Sequence, residues 1–190
     1  MHIQKFIDYL LLEKKYSQNT VVAYKNDIEA FQLFLSQEFS DSDVSRANYA
    51  QIRTWIVQLV DRSISNRTIN RKISSLNSYY KFSLKIESIE ANPLVKHKAL
   101  KVSKKIQIPF SETEVNSVLN TINTTTFEGI RDKLIVELFY STGIRRIELV
   151  QLQLQDVDLS QGHVKVLGKR NKERIIPLLP SVMDTVVAYL

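Results

Sequence analysis

No glycine and no proline occurs before Pro93. These two residues are the strongest local interruptions of regular structure, so the chain ahead of Pro93 is free to run as long helices. Its apolar residues recur at helical spacing throughout. Residues 2–14 carry Ile3, Phe6, Ile7, Leu10 and Leu11 on one stripe. Ser17 is placed to cap a second helix, whose inward face holds Val21, Tyr24, Ile28, Phe31 and Phe34 or Leu35. After the polar break Ser40-Asp41-Ser42-Asp43, a third helix is predicted near Ala47–Val60, with Ile52, Trp55, Ile56 and Leu59 inward. A fourth follows Ser63–Ser65 and runs from about Asn66 to Leu84. Four helices joined by short links predict a small bundle.

Asn92-Pro93 ends the bundle, because a residue before proline disfavours helix. Lys96–Lys105 then holds five lysines and no acid. Residues 96–108 are therefore expected as a basic linker between a helical domain, 1–95, and a second domain, 109–190. There, Ser111-Glu112-Thr113-Glu114 is a capping box that opens a helix to about Ile122. A longer helix, about Phe127 to Ser141, stops at Gly143, and a short one is predicted over Arg145–Leu152. His163–Leu167 and Arg174–Leu178 are β-branched and flank Gly168-Lys169-Arg170-Asn171-Lys172, which predicts an antiparallel hairpin with a basic tip. A last amphipathic helix begins near Ser181. The expected fold class is mainly α, with an α+β second domain carrying a small antiparallel hairpin.

The net charge of +6 is unevenly placed: residues 1–110 carry 17 Lys/Arg against 10 Asp/Glu, and residues 111–190 carry 9 against 10. Between 62 and 105, 11 basic residues face only Glu87 and Glu90. That density suggests a polyanion, most often nucleic acid. On a helical wheel, Arg67, Arg71, Ser74, Ser78, Lys81 and Lys85 share one stripe, and Ile69, Ile73, Leu76, Tyr80 and Leu84 lie opposite. No carboxylate of this helix lies on the cationic stripe, whereas an ordinary solvated helix mixes both signs. Such a face suits phosphates and base edges in a major groove, although spacing alone does not separate DNA from RNA. The absence of cysteine excludes disulfides and thiolate zinc sites. No apolar run approaches the roughly 20 residues of a membrane span, and Met1–Lys5 lacks the apolar core of a signal peptide. A cytoplasmic protein is expected, with no metal and no cofactor called for.

Two sets of residues carry a family resemblance. Ser17, Thr20, Tyr24, Asp27 and Phe31, followed by Arg67-Thr68-Ile69-Asn70-Arg71-Lys72-Ile73, Tyr79, Tyr80, Phe82 and Asn92-Pro93, resemble the helical core-binding domain of phage-integrase-type tyrosine recombinases. Ser141–Leu149 resembles the first catalytic-arginine motif of that family, and Val166–Leu178 resembles its catalytic-lysine hairpin, in the right order and separation. The resemblance covers essentially the whole chain, and its opening directly at the core-binding pattern favours the Xer branch. It implies a SAM-like four-helix core-binding domain followed by an incomplete catalytic domain. The implied activity is site-specific recombination through a phosphotyrosine intermediate, without metal or ATP.

By motif position Arg145 is one of the arginines that stabilise charge on the attacked phosphodiester. Arg146 is secondary, and Glu148, three residues on, orients Arg145. Lys169 corresponds to the general acid that protonates the leaving 5′ oxygen, ahead of Lys165 and Lys172. A lysine suits this role where nearby cations lower its pKa, and Arg170 and Lys172, also expected to face DNA, are the neighbouring cations that would help to do so. The implied partners are double-stranded DNA with inverted half-sites and other recombinase subunits, four at a synapse, with no membrane. The usual Xer task is resolution of chromosome dimers.

The resemblance stops short at the C-terminus. The family also uses His-x-x-Arg, a further His or Trp, and a tyrosine nucleophile. Three residues after His2, His97 and His163 stand Lys5, Leu100 and Val166. Tyr189 comes too early for the nucleophile and reads as core. The chain is therefore expected to be a piece of a longer enzyme rather than the product of a truncated gene, and to bind DNA without cleaving it. Other readings stay open at this point. An integrase of a mobile element would look almost the same. A non-catalytic DNA-binding regulator would have no need of Arg145 or Lys169, and a protein-interaction module with an acidic partner leaves both motifs unexplained.

Overall fold

The four helices expected ahead of Pro93 are all present in the computed structural model, which describes residues 2–104, 106–168 and 172–190. α1 spans His2–Asp8 and continues into π-helical turns at Tyr9–Glu13. α2 covers Gln18–Phe39, with the Ser17 hydroxyl accepting from the Thr20 backbone N–H. α3 covers Tyr49–Asp61 and α4 covers Asn66–Lys85. α3 starts later than its apolar stripe suggested, because Asn48 and Gln51 form a reciprocal capping box there. With no glycine available, the chain takes the left-handed conformation at Lys15, Ser40, Ser63 and Glu87, one after each helix (φ 51°, 53°, 59° and 55°). Each such residue costs about 1–2 kcal/mol, which the packing of the bundle offsets.

That packing is aromatic. Phe6, Phe31, Trp55, Tyr79 and Tyr80 are buried. Phe6 meets the edge of Tyr79 at 5.6 Å, and Phe31 lies 4.9 Å from Trp55. Such pairs add to the stabilisation from burial alone. The Tyr80 hydroxyl donates to the Val44 carbonyl at 3.0 Å, and burial pushes its phenol pKa well up. The apolar face of α4 is wider than its wheel indicated, since Tyr79 and Phe82 are also buried and Leu84 is only half-buried.

The chain divides into two compact units, Met1–Lys105 and Ile106–Leu190. The first takes in part of the segment expected as linker. The Asn70 carboxamide bonds both the N–H and the carbonyl of Leu100, each at 2.9 Å, and Asn66 Nδ2 donates to the Lys101 carbonyl at 2.8 Å. A carboxamide presents a donor and an acceptor side by side, as a neighbouring strand would.

In the second unit, α5 spans Glu112–Thr121 behind the Ser111–Glu114 capping box. α6 spans Phe127–Thr142 and ends at Gly143, whose φ of 61° is the left-handed C-cap conformation. α7 is short, Arg146–Val150. The expected hairpin is part of a three-stranded antiparallel sheet in the order β1 (Val157–Asp158), β2 (His163–Leu167), β3 (Glu173–Pro177). β1 is two residues long, too short to leave an alternation signal in the sequence. α8, Pro180–Tyr189, packs on α6. Leu134, Leu138, Ile144, Val164, Val166, Leu178, Val182 and Val186 form the core of this unit. Tyr189 packs against it, stacked on Phe127 at 5.1 Å, as its expected core role requires. An open apolar groove of about 710 Å³ runs between α6, α8 and the chain around Val150–Leu154. No described helix is long and apolar enough to cross a membrane.

Candidate functional site

The cationic face of α4 is solvent-facing. Arg67, Arg71, Ser74, Lys81 and Lys85 are exposed and Ser78 is half-buried beside Tyr79. α4 itself carries no acid, and neighbouring helices supply carboxylates that a wheel of α4 alone does not reveal. Arg71 forms a two-pronged pair with Asp27 of α2, Nη2 to Oδ1 at 2.9 Å and Nη1 to Oδ2. Lys72 reaches the same carboxylate at 3.1 Å and the Ser75 hydroxyl donates to it at 2.7 Å. The Asp27 side chain is 2 % exposed while that of Arg71 is 51 % exposed. Arg71 is thus fixed at its inner edge and open at its outer one. Lys85 pairs with Glu13 at 2.9 Å and lies 4.9 Å from the Tyr9 ring centroid. Its Glu13 hydrogen bond raises its pKa.

The second cluster lies at the start of α7. Arg145 is not inside the helix but at its N-cap, with extended backbone (φ −77°, ψ 148°). Glu148 therefore meets it in two ways: the Arg145 backbone N–H donates to Oε2 at 2.8 Å, and Nη1 donates to Oε1 at 2.8 Å. The Arg145 side chain remains 65 % exposed, whereas that of Glu148 is 2 % exposed. A buried carboxylate needs compensating charge, and Arg174 of β3 provides more of it. Arg174 Nη1 donates to Oε1 at 2.9 Å and Nη2 to Oε2 at 2.7 Å, fork to fork. The Arg174 hydrogen bonds, then those from Arg145, hold the Glu148 carboxyl far below the usual carboxylate range.

Arg174 was absent from the residues singled out in the sequence, yet a signal for it existed. β3 alternates so that Arg174 falls on the inward side with Ile176, opposite Val166. An arginine at an inward strand position requires a buried acid. Gly168 packs against the same cluster: a Cβ there would lie 3.2 Å from Arg174 Nη1 and 3.4 Å from Glu148 Oε1. Its N–H donates to the Lys172 carbonyl at 2.7 Å, closing the base of the hairpin tip. Lys172 is exposed, and Lys165 pairs across the hairpin with Glu173 at 3.8 Å. Lys169 and Arg170 lie outside the described residues.

The chain matches two family models. That of the phage integrase N-terminal SAM-like domain covers residues 3–86, and that of the phage integrase family covers residues 109–190. Tyrosine recombinase XerD of Staphylococcus haemolyticus is 37 % identical over 188 residues, covering 99 % of this chain and 62 % of that protein. Tyrosine recombinase XerC of Oceanobacillus iheyensis is 36 % identical over 177 residues, covering 93 % of this chain and 58 % of that protein. The chain thus spans about three-fifths of the length of these relatives. Among solved structures, a lambda integrase dimer bound to a COC′ core site superposes with a TM-score of 0.74 at 17 % identity, covering 98 % of this chain and 66 % of that one. The Tn1549 transposon integrase in complex with circular intermediate DNA gives 0.68 at 17 % identity, covering 97 % and 62 %. Two successive family models, relatives alike along nearly the whole chain and a shared fold agree: this chain belongs to the phage integrase family of tyrosine recombinases.

Proposed function

We propose that this chain is the DNA-binding unit and the first part of the catalytic unit of a site-specific recombinase acting in the cytoplasm, with Xer-type resolution of chromosome dimers as its task. The observation that carries this reading is the Arg145 guanidinium, exposed on the outside while a buried, ionised Glu148 holds it within. Phosphoryl transfer to a tyrosine builds charge on the non-bridging phosphate oxygens, and a fixed, permanently protonated fork is suited to meet it. Lys169, the residue after Gly168 in the sequence, donates the proton to the leaving 5′ oxygen, with Arg170 and Lys172 as flanking cations. The face of Arg67, Arg71, Ser74, Ser78, Lys81 and Lys85 lies along the duplex, contacting phosphates and base edges. The partners are double-stranded DNA with inverted half-sites and other recombinase subunits, four at a synapse. The 190 residues bind DNA without cutting it, since the sequence carries no His-x-x-Arg motif.

Repeated selection from a random duplex pool tests the reading. Recovery of paired inverted half-sites, or of a single half-site, supports it. Binding that weakens steeply with salt but enriches no sequence removes the site-specific part, and no binding at all removes the whole reading. A covalent protein–DNA adduct that survives a denaturing gel would refute the proposed lack of cleavage.

A further inference from the structure

Glu148 is fully occupied. Oε1 accepts from Arg145 Nη1 and Arg174 Nη1, and Oε2 accepts from the Arg145 backbone N–H and Arg174 Nη2. Each carboxylate oxygen offers two lone pairs, so these four donors leave no acceptor capacity. The two arginines share the carboxylate unequally. Arg174 grips it with both prongs of its fork, while the Arg145 side chain gives it only one N–H. The rest of the Arg145 fork faces solvent.

The charges follow the same division. Two guanidiniums and one carboxylate leave one surplus positive charge, and the exposed member of the trio is Arg145. Were Arg174 absent, the vacated lone pairs of Glu148 would draw Arg145 into a two-pronged pair, which is the preferred geometry of Arg and carboxylate. That pair would be neutral and turned inward. We propose that Arg174 is a positioning residue: by occupying Glu148 it keeps the Arg145 guanidinium off that carboxylate and available to a DNA phosphate. This rests on the reading of Arg145 as a phosphate ligand. The close packing of Gly168 on Arg174 and Glu148 places the same clamp against the base of the hairpin tip, a proximity that a residue with a side chain would disturb.

The test uses the 190-residue chain and a short duplex of random sequence, with affinity measured across a salt series. Each phosphate contact contributes about 0.9 to the slope of log affinity against log salt. Arg145→Ala is expected to lower the slope by about that amount, and Arg174→Met to lower it equally. Arg174→Met combined with Glu148→Gln restores the slope, because an uncharged amide no longer captures Arg145. A merely structural Arg174 would behave oppositely, since removing both partners would deepen the loss. If Arg145→Ala changes the slope and Arg174→Met does not, the proposal falls and the phosphate reading stands. If Arg145→Ala changes nothing, both fall. Melting curves establish that each variant folds. Should Arg174→Met fail to melt cooperatively, Arg174→Lys replaces it, since a lysine leaves part of Glu148 open. NMR of the Arg145 side chain in that variant should show slowed guanidinium rotation, and unchanged rotation overturns the proposal.

Discussion

Replacing Asp27 by alanine removes a buried carboxylate on which two helices converge. Arg71, Lys72 and Ser75 of α4 all donate to it across the α2–α4 contact. Removing one partner of a buried ion pair costs about 3–5 kcal/mol when the stranded charge stays buried. Here the stranded charges differ: Arg71 is half exposed and rehydrates, while Lys72 is mostly covered. The expected loss is therefore discounted to about 2–3 kcal/mol. For a unit of this size that lowers the melting temperature by roughly 10–20 °C, and the urea midpoint by roughly 1–2 M. Trp55 is the single tryptophan and is buried in the first unit, so its fluorescence follows the unfolding of that unit alone. Asp27→Asn keeps the shape without the charge and is expected to rescue little. The double variant Asp27→Ala with Arg71→Ala separates the Arg71 contribution from that of Lys72. A loss below about 0.5 kcal/mol, the level of an ordinary surface pair, or an Asp27→Asn variant as stable as the parent, would refute the account of this cluster as a buried, charge-driven joint.

Two further outcomes follow from the second unit. The folded-state pKa of Glu148 is depressed, so its contribution to stability is complete above its unfolded value near 4.5 and is lost only as pH falls through the lower folded value. Its side-chain carboxyl carbon, followed by NMR, should not titrate as pH falls from neutrality to well below 4.5, and a midpoint at that value would contradict the clamp. Gly143→Ala places a Cβ where nothing lies within 4 Å, so its effect isolates the left-handed conformation at φ 61°. A destabilisation of about 1–2 kcal/mol is expected in thermal melts, and a neutral result would mean that the α6 C-cap does not hold this backbone geometry.

The helices, their caps and the hairpin were legible because the forces that set them are local. Ser17 caps a helix three residues away, Ser111 and Glu114 complete each other within one turn, and Gly143 stops α6 at its own φ. The alternation in Val164, Val166 and Ile176 likewise belongs to each strand alone. The family motifs were legible for a related reason, since each lies in one short run of sequence.

The charge partners were a different matter. Asp27 meets Arg71 across 44 residues, Glu13 meets Lys85 across 72, and Glu148 meets Arg174 across 26. A helical wheel gives the direction in which a side chain leaves its own axis and says nothing of what stands opposite. The basic stripe of α4 was visible in one segment, but the acids that hold Arg71 and Lys85 come from helices brought alongside by packing. Arg174 was half visible: alternation turned it inward, which demands a carboxylate, but only the docking of α7 on the sheet selected Glu148. Periodicity is a property of a segment, whereas ion pairing depends on which segments the core brings together.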